Sequence, residues 1–96
     1  MTTLKELSAK REKILQIAEA HGAYNVRVFG SVARGKTDQH SDIDFLVELE
    51  PDRSLLDLGS LLMDLQEFLA QSVDVITENA LKERIRERVI NEAKPL

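Results

Sequence analysis

The chain has 96 residues, 43% of them hydrophobic and 31% charged, which predicts one small domain over residues 1–96 and argues against disorder or low complexity. No apolar run approaches the roughly 20 residues of a membrane-crossing helix, residues 1–19 lack the apolar core of a signal peptide, and there are no cysteines for disulfides or a thiolate zinc site; a cytoplasmic location is expected. The net charge of −4 argues against direct, sequence-independent nucleic-acid binding, which draws its affinity from clustered Lys and Arg.

Residues 2–21 have a helical pattern, with Leu4, Leu7, Ile14 and Ala18 at steps that share one face and charged residues between them. Gly22 stands where a helix ends, and His21 falls in the last turn, where a partial positive charge is favoured. Residues 24–29 are β-branched and aromatic and predict a strand, broken by Gly30. Residues 31–34 suffice for about one helical turn, which Gly35 closes, and a polar stretch follows. Residues 43–49, with Ile43, Phe45, Leu46 and Val47, form a second strand, and Pro51-Asp52 mark a loop.

Residues 55–69 are predicted as a helix with Leu55, Leu58, Leu62, Leu65 and Leu69 on one stripe. Gly59 weakens it by roughly 1 kcal/mol relative to Ala, or else admits a closely approaching neighbour. Residues 73–77 form a third strand. A last helix over residues 80–93 has Asn79 as N-cap and Leu81, Ile85 and Val89 as its inner face. The order is α-β-(short α)-β-α-β-α: an α/β (α+β) fold with a small three-stranded sheet covered by helices. The turn between the first two strands is too short for a βαβ crossover, so the sheet should be mixed.

Chemistry concentrates between Arg27 and Val47. Gly30-Ser31 lies at a strand-to-helix corner, where backbone N–H groups and one hydroxyl can cradle phosphate oxygens, and glycine lets the backbone approach an anion. Asp42 and Asp44, two apart at a strand start, point to one face about 6–7 Å apart. Such a pair resists double ionisation unless a cation lies between, and Mg²⁺ favours few carboxylates with water and phosphate oxygens. Asp74, between Val73 and Val75, can join them if its strand pairs beside residues 43–47. Each feature is weak alone; Gly-Ser, ten residues, Asp-x-Asp opening a hydrophobic strand, then an Asp in a later strand is restrictive together.

This pattern resembles the signature of the DNA polymerase β-like nucleotidyltransferase superfamily. Gly30-Ser-Val-Ala-Arg-Gly35 followed by Ser41-Asp-Ile-Asp44 is similar to its small prokaryotic branch, the minimal nucleotidyltransferases, antitoxin partners of HEPN-domain toxins. The resemblance implies triphosphate binding by Gly30 and Ser31 and metal ligation by Asp42 and Asp44. It further implies a third carboxylate, Asp74, as ligand or general base, with Glu48 and Glu50 as fallbacks. Arg34 has two readings, phosphate contact or a salt bridge that holds the loop. Ser41 should cap or orient the Asp-bearing strand beside the nucleotide; His40 and Lys36 read as surface residues.

The implied reaction is Mg²⁺-dependent transfer, with two metals expected, of AMP from ATP to a hydroxyl, expected to be a tyrosine's, of a cognate HEPN-domain toxin. Larger superfamily members add domains that recognise the base or the acceptor, so both are expected to be recognised by a thin surface of this chain, by a partner, or through homo- or hetero-oligomerisation. Two alternatives stay open: an antitoxin acting by occlusion alone through exposed leucines, and a small-molecule nucleotidyltransferase.

Overall fold

The computed structural model describes residues 2–36 and 42–96. Helices α1 (Leu4–Ala9) and α2 (Arg11–Ala20) lead into β1 (Ala23–Phe29), the short α3 (Gly30–Arg34) and β2 (Ile43–Leu49). Helix α4 (Leu55–Leu69), β3 (Val73–Thr77), a 3₁₀ turn (Glu78–Ala80), α5 (Glu83–Glu92) and β4 (Lys94–Pro95) complete the order. The sheet runs β3-β2-β1-β4. β1 is antiparallel to both β2 and β4, while β2 and β3 are parallel, so the sheet is mixed as expected. The parallel pair requires a crossover, which α4 supplies.

Alternation along the strands divides the sheet into two unlike faces. Val28, Ile43, Phe45, Val47, Val73 and Val75 point to one side, where they cluster with Leu7 of α1, Ile14 and Ala18 of α2 and Leu61, Leu65 and Leu69 of α4. The residues between them, Asp44 and Leu46 on β2 and Asp74 and Ile76 on β3, point to the other side, toward α3, α5 and the 3₁₀ turn.

β1 keeps its phase by a bulge. The register shifts between Tyr24 and Arg27, where Asn25 adopts a left-handed φ of 50°, a conformation Asn tolerates better than most residues. The extra residue lets Ala23 and Val26, three apart, both reach the core. Ser54 caps α4, accepting from the Leu56 N–H at 3.2 Å, while Asp57 accepts from the Ser54 N–H at 2.9 Å. This reciprocal box fixes where the helix starts.

Four expectations need correction. The N-terminal helix is two helices, offset at Lys10 (φ −103°), an arrangement that buries both Leu7 and Ile14. The last helix begins at Glu83, and Asn79 lies in the 3₁₀ turn instead of capping it. Glu78 is tied to Arg27 of β1 by an ion pair, which holds the chain against the sheet before the helix can start. The sheet has four strands, because Lys94–Pro95 pairs with Arg27 and Val28; two residues with a proline carry no strand signal, yet an edge tolerates the missing N–H. On α4, Leu61 belongs to the buried stripe, whereas Leu55 and Leu56 are 81% and 83% exposed. A side chain at Gly59 would meet nothing within 4 Å, so no neighbour within the described residues requires glycine there.

Leu65 is fully buried in the main core. Leu65→Ala is expected to lower unfolding free energy by about 2–5 kcal/mol, against within about 0.5 kcal/mol for Leu55→Ala. Urea denaturation of both variants checks the contrast.

Candidate active site

The strand-to-helix corner is built on backbone geometry. Phe29 is extended, Gly30 takes a φ of +72°, and α3 follows for five residues until Gly35, also left-handed, ends it. A Cβ on Gly30 would lie 2.3 Å from an Asp44 carboxylate oxygen. Glycine is favoured here by conformation, and any side chain would also push the Asp44 carboxylate aside. The anion that the backbone approaches is the protein's own aspartate, since Phe29 and Asp44 are register partners. Ser31 is partly buried at the head of α3, and its carbonyl accepts from the Lys36 N–H at 2.9 Å.

The aspartates meet through strand pairing. Asp44 of β2 and Asp74 of β3 are register partners, and neighbouring strands lie about 4.8 Å apart. Asp42 precedes β2 by one residue, two before Asp44, and shares its face. Asp42 and Asp74 are exposed and Asp44 is partly buried. Burial, then the charges of Asp74 and Asp42, push the Asp44 carboxyl up to about 6, and Arg34 opposes them. Among the described residues no three carboxylate or imidazole groups already converge on a point. A cation would have to draw the exposed Asp42 and Asp74 side chains inward. Their oxygens are hard donors with room for water and phosphate, which suits Mg²⁺.

Arg34 donates to Glu92 of α5 at 2.7 Å, which realises its salt-bridge reading, although its side chain stays 51% exposed. The other Glu92 oxygen accepts from the Gly30 N–H at 3.0 Å. Burial would raise the Glu92 carboxyl, but hydrogen bonds from Arg34 and Gly30, with the charges of Arg34 and Arg88, hold it below the ordinary value. Sequence reasoning missed Glu92. Its signal was position, for it continues the Ile85–Val89 stripe that faces inward. The fallback carboxylates are engaged elsewhere: Glu48 accepts from Asn25 at 2.8 Å and Glu50 lies 3.8 Å from Arg53. His21 ends α2 and bonds Asp64 of α4 at 2.6 Å, away from the aspartate face. Lys36 is exposed, as expected. Ser41 and His40 lie outside the described residues.

Residues 10–96 match the nucleotidyltransferase domain model. The chain belongs to this family. MJ0435 of Methanocaldococcus jannaschii, whose name assigns it to the protein adenylyltransferases, is 42% identical over 83 residues, covering 86% of this chain and 89% of that protein. The protein adenylyltransferase MntA of Thermococcus cleftensis is 35% identical over 97 residues, covering 96% and 94%. A solved structure described as a minimal nucleotidyltransferase superimposes with a TM-score of 0.88 at 46% identity, over 99% of this chain and 97% of that one. A toxin–antitoxin structure with AMP-PNP shares the fold, with a TM-score of 0.74 at 21% identity over 88% of this chain and 69% of that one. The protein is a nucleotidyltransferase with the mixed α/β architecture of the minimal branch.

The raised Asp44 carboxyl makes the metal-free nucleotidyltransferase sensitive to pH. Between the ordinary value of 3.8 and about 6, the folded state holds a proton that the unfolded chain has lost. Stability contributed by this group therefore falls as pH rises through that window. Asp44→Asn cannot ionise, so with chelator present its melting temperature should exceed wild type by more at about pH 7.5 than at about pH 4.5. Thermal melts at both pH values check this, and a pH-independent difference would contradict it.

Proposed function

We propose that this nucleotidyltransferase is a Mg²⁺-dependent protein adenylyltransferase antitoxin of the cytoplasm. It transfers AMP from ATP to a hydroxyl, that of a tyrosine, on a HEPN-domain toxin and so neutralises it. The observation that carries the reading is the pairing of Asp44 with Asp74 on one open face, with Asp42 two residues before and the Gly30-Ser31 corner against Asp44. The names of the adenylyltransferase relatives support the acceptor class, and the shared fold of the toxin–antitoxin structure is consistent with it.

We assign Asp42, Asp44 and Asp74 to the cation. The Gly30-Ser31 corner, the free part of the Arg34 fork and Ser41 are assigned to the triphosphate and its surroundings. The acceptor oxygen bonds to the α-phosphorus, the bond to pyrophosphate breaks, and the hydroxyl proton passes to a carboxylate, the role given to Asp74. Bound Mg²⁺, as one ion or two, supplies the positive charge that offsets the triphosphate and the departing pyrophosphate. With the Gly30 N–H held by Glu92, the N–H groups that follow it in α3 are the fixed donors left to the phosphates, and they need no reorganisation as charge develops. A nearby cation would favour the ionised form of the partly buried Asp44, whose carboxyl lies at about 6 without one.

One observation favours a second reading. Leu55, Leu56 and Met63 leave α4 with an apolar outer surface, 81%, 83% and 63% exposed, which a toxin could cover without any transfer. Purified protein incubated with labelled ATP, Mg²⁺ and the protein encoded beside it should label that partner. The Asp42→Asn/Asp44→Asn variant should reduce labelling by at least about a hundredfold. Equal labelling by the variant would sink the enzymatic reading, and undiminished neutralisation by it at equal expression would establish occlusion.

A further inference from the structure

We propose that Glu92 is a positioning residue for nucleotide binding, fixing the Gly30-Ser31 corner and Arg34 in the arrangement that receives the triphosphate; this rests on the reading of the site as an ATP site. Local preference does not explain a carboxylate at this point. Glu92 is the last residue of α5, whose last turn holds no basic residue, and negative charge at a helix C-terminus opposes the dipole. Its partners are distant in the chain, 62 residues away for Gly30 and 58 for Arg34. A locally disfavoured residue held by two long-range contacts points to a requirement of the assembled site.

Each carboxylate oxygen has its own task. Oε2 accepts from the Gly30 N–H at 3.0 Å and Oε1 accepts from Arg34 Nη1 at 2.7 Å. The first contact lies apart from the phosphate-facing donors. Gly30 has a φ of +72°, a rotation of about 135° from the helical value near −63°. Its N–H is therefore turned away from those of Ser31 and Val32, the next two residues of α3. Glu92 takes the donor that the turn directs elsewhere and leaves the helical ones to an incoming anion.

The second contact decides where Arg34 sits. Glu92 holds one edge of the guanidinium while the rest of this half-exposed side chain stays open to phosphate.

The test is ATP affinity with Mg²⁺, measured by calorimetry, beside melting temperature. Glu92→Ala should weaken binding by about tenfold, the loss of a charge-assisted contact. Glu92→Gln, which keeps an acceptor for the Gly30 N–H but no charge for Arg34, should fall between. In an Arg34→Ala background the Glu92→Gln effect should shrink toward none. Tighter binding by Glu92→Ala would make Glu92 a competitor of the triphosphate and overturn the proposal. Unchanged affinity with a lowered melting temperature would also overturn it, leaving a structural tie only. Absence of Mg²⁺-dependent ATP binding in wild type would remove the ATP-site reading itself, and this inference with it.

Discussion

The parallel register of β2 against β3 sets Asp44 beside Asp74, and two carboxylates at one strand spacing repel each other. That local cost shapes much of what surrounds it. Burial under the glycine corner raises the Asp44 carboxyl most, the charges of Asp74 and Asp42 add to it, and those two aspartates remain exposed. The folded state tolerates the arrangement because the opposite face carries the main apolar core. Phe45, Ile43, Val73 and Val75 alternate with the aspartates and bury against α2 and α4. One strand pair thus carries core residues on one face and mutually repelling carboxylates on the other, the sort of conflict expected at a functional site.

The same register requires α4. Parallel neighbours cannot be joined by a tight turn, and the Ser54–Asp57 capping box starts the crossover helix so that Leu61, Leu65 and Leu69 fall on the core side. On the aspartate side, coverage is thinner and more polar. There α3 and α5 are linked by Glu92, which bonds both ends of the five-residue helix, Gly30 at its start and Arg34 at its end. The corner against Asp44 is therefore positioned from two directions, by β1 pairing with β2 below it and by α5 beside it.

What the sequence disclosed follows from how local each determinant is. Residues 43–49, 55–69 and 73–77 matched their elements because period and flanking turns lie within the segments themselves. The Gly30, Ser31, Asp42 and Asp44 motif was readable because its members share one β-turn-β passage. Asp74 required a pairing guess, which a three-strand mixed sheet made reasonable. Glu92 offered only its place on the Ile85–Val89 stripe, and its role stayed hidden because its contacts are 58 and 62 residues distant. The bulge at Asn25 and the two-residue β4 escaped for the same reason: tertiary pairing overrides signals that short. The 3₁₀ turn before α5 depends on Glu78 meeting Arg27 across the sheet, again a long-range contact.

The two routes to neutralisation would use different surfaces. α4 covers the core face, so Leu55, Leu56 and Met63 look away from the side that carries Asp44 and Asp74. A partner seated only on those residues has the sheet between itself and the aspartates and cannot present a hydroxyl to them. A partner that is modified must reach the face bounded by α3, α5 and the β3 edge, where exposed Asp42 and Asp74 lie. Occlusion and transfer would serve one complex if the partner wraps around the β3 edge, which is one of the two ends of the sheet and the one that carries Asp74. Gly59 fits the occlusion surface without being explained by it. Its open position costs helix stability and meets no neighbour among the described residues.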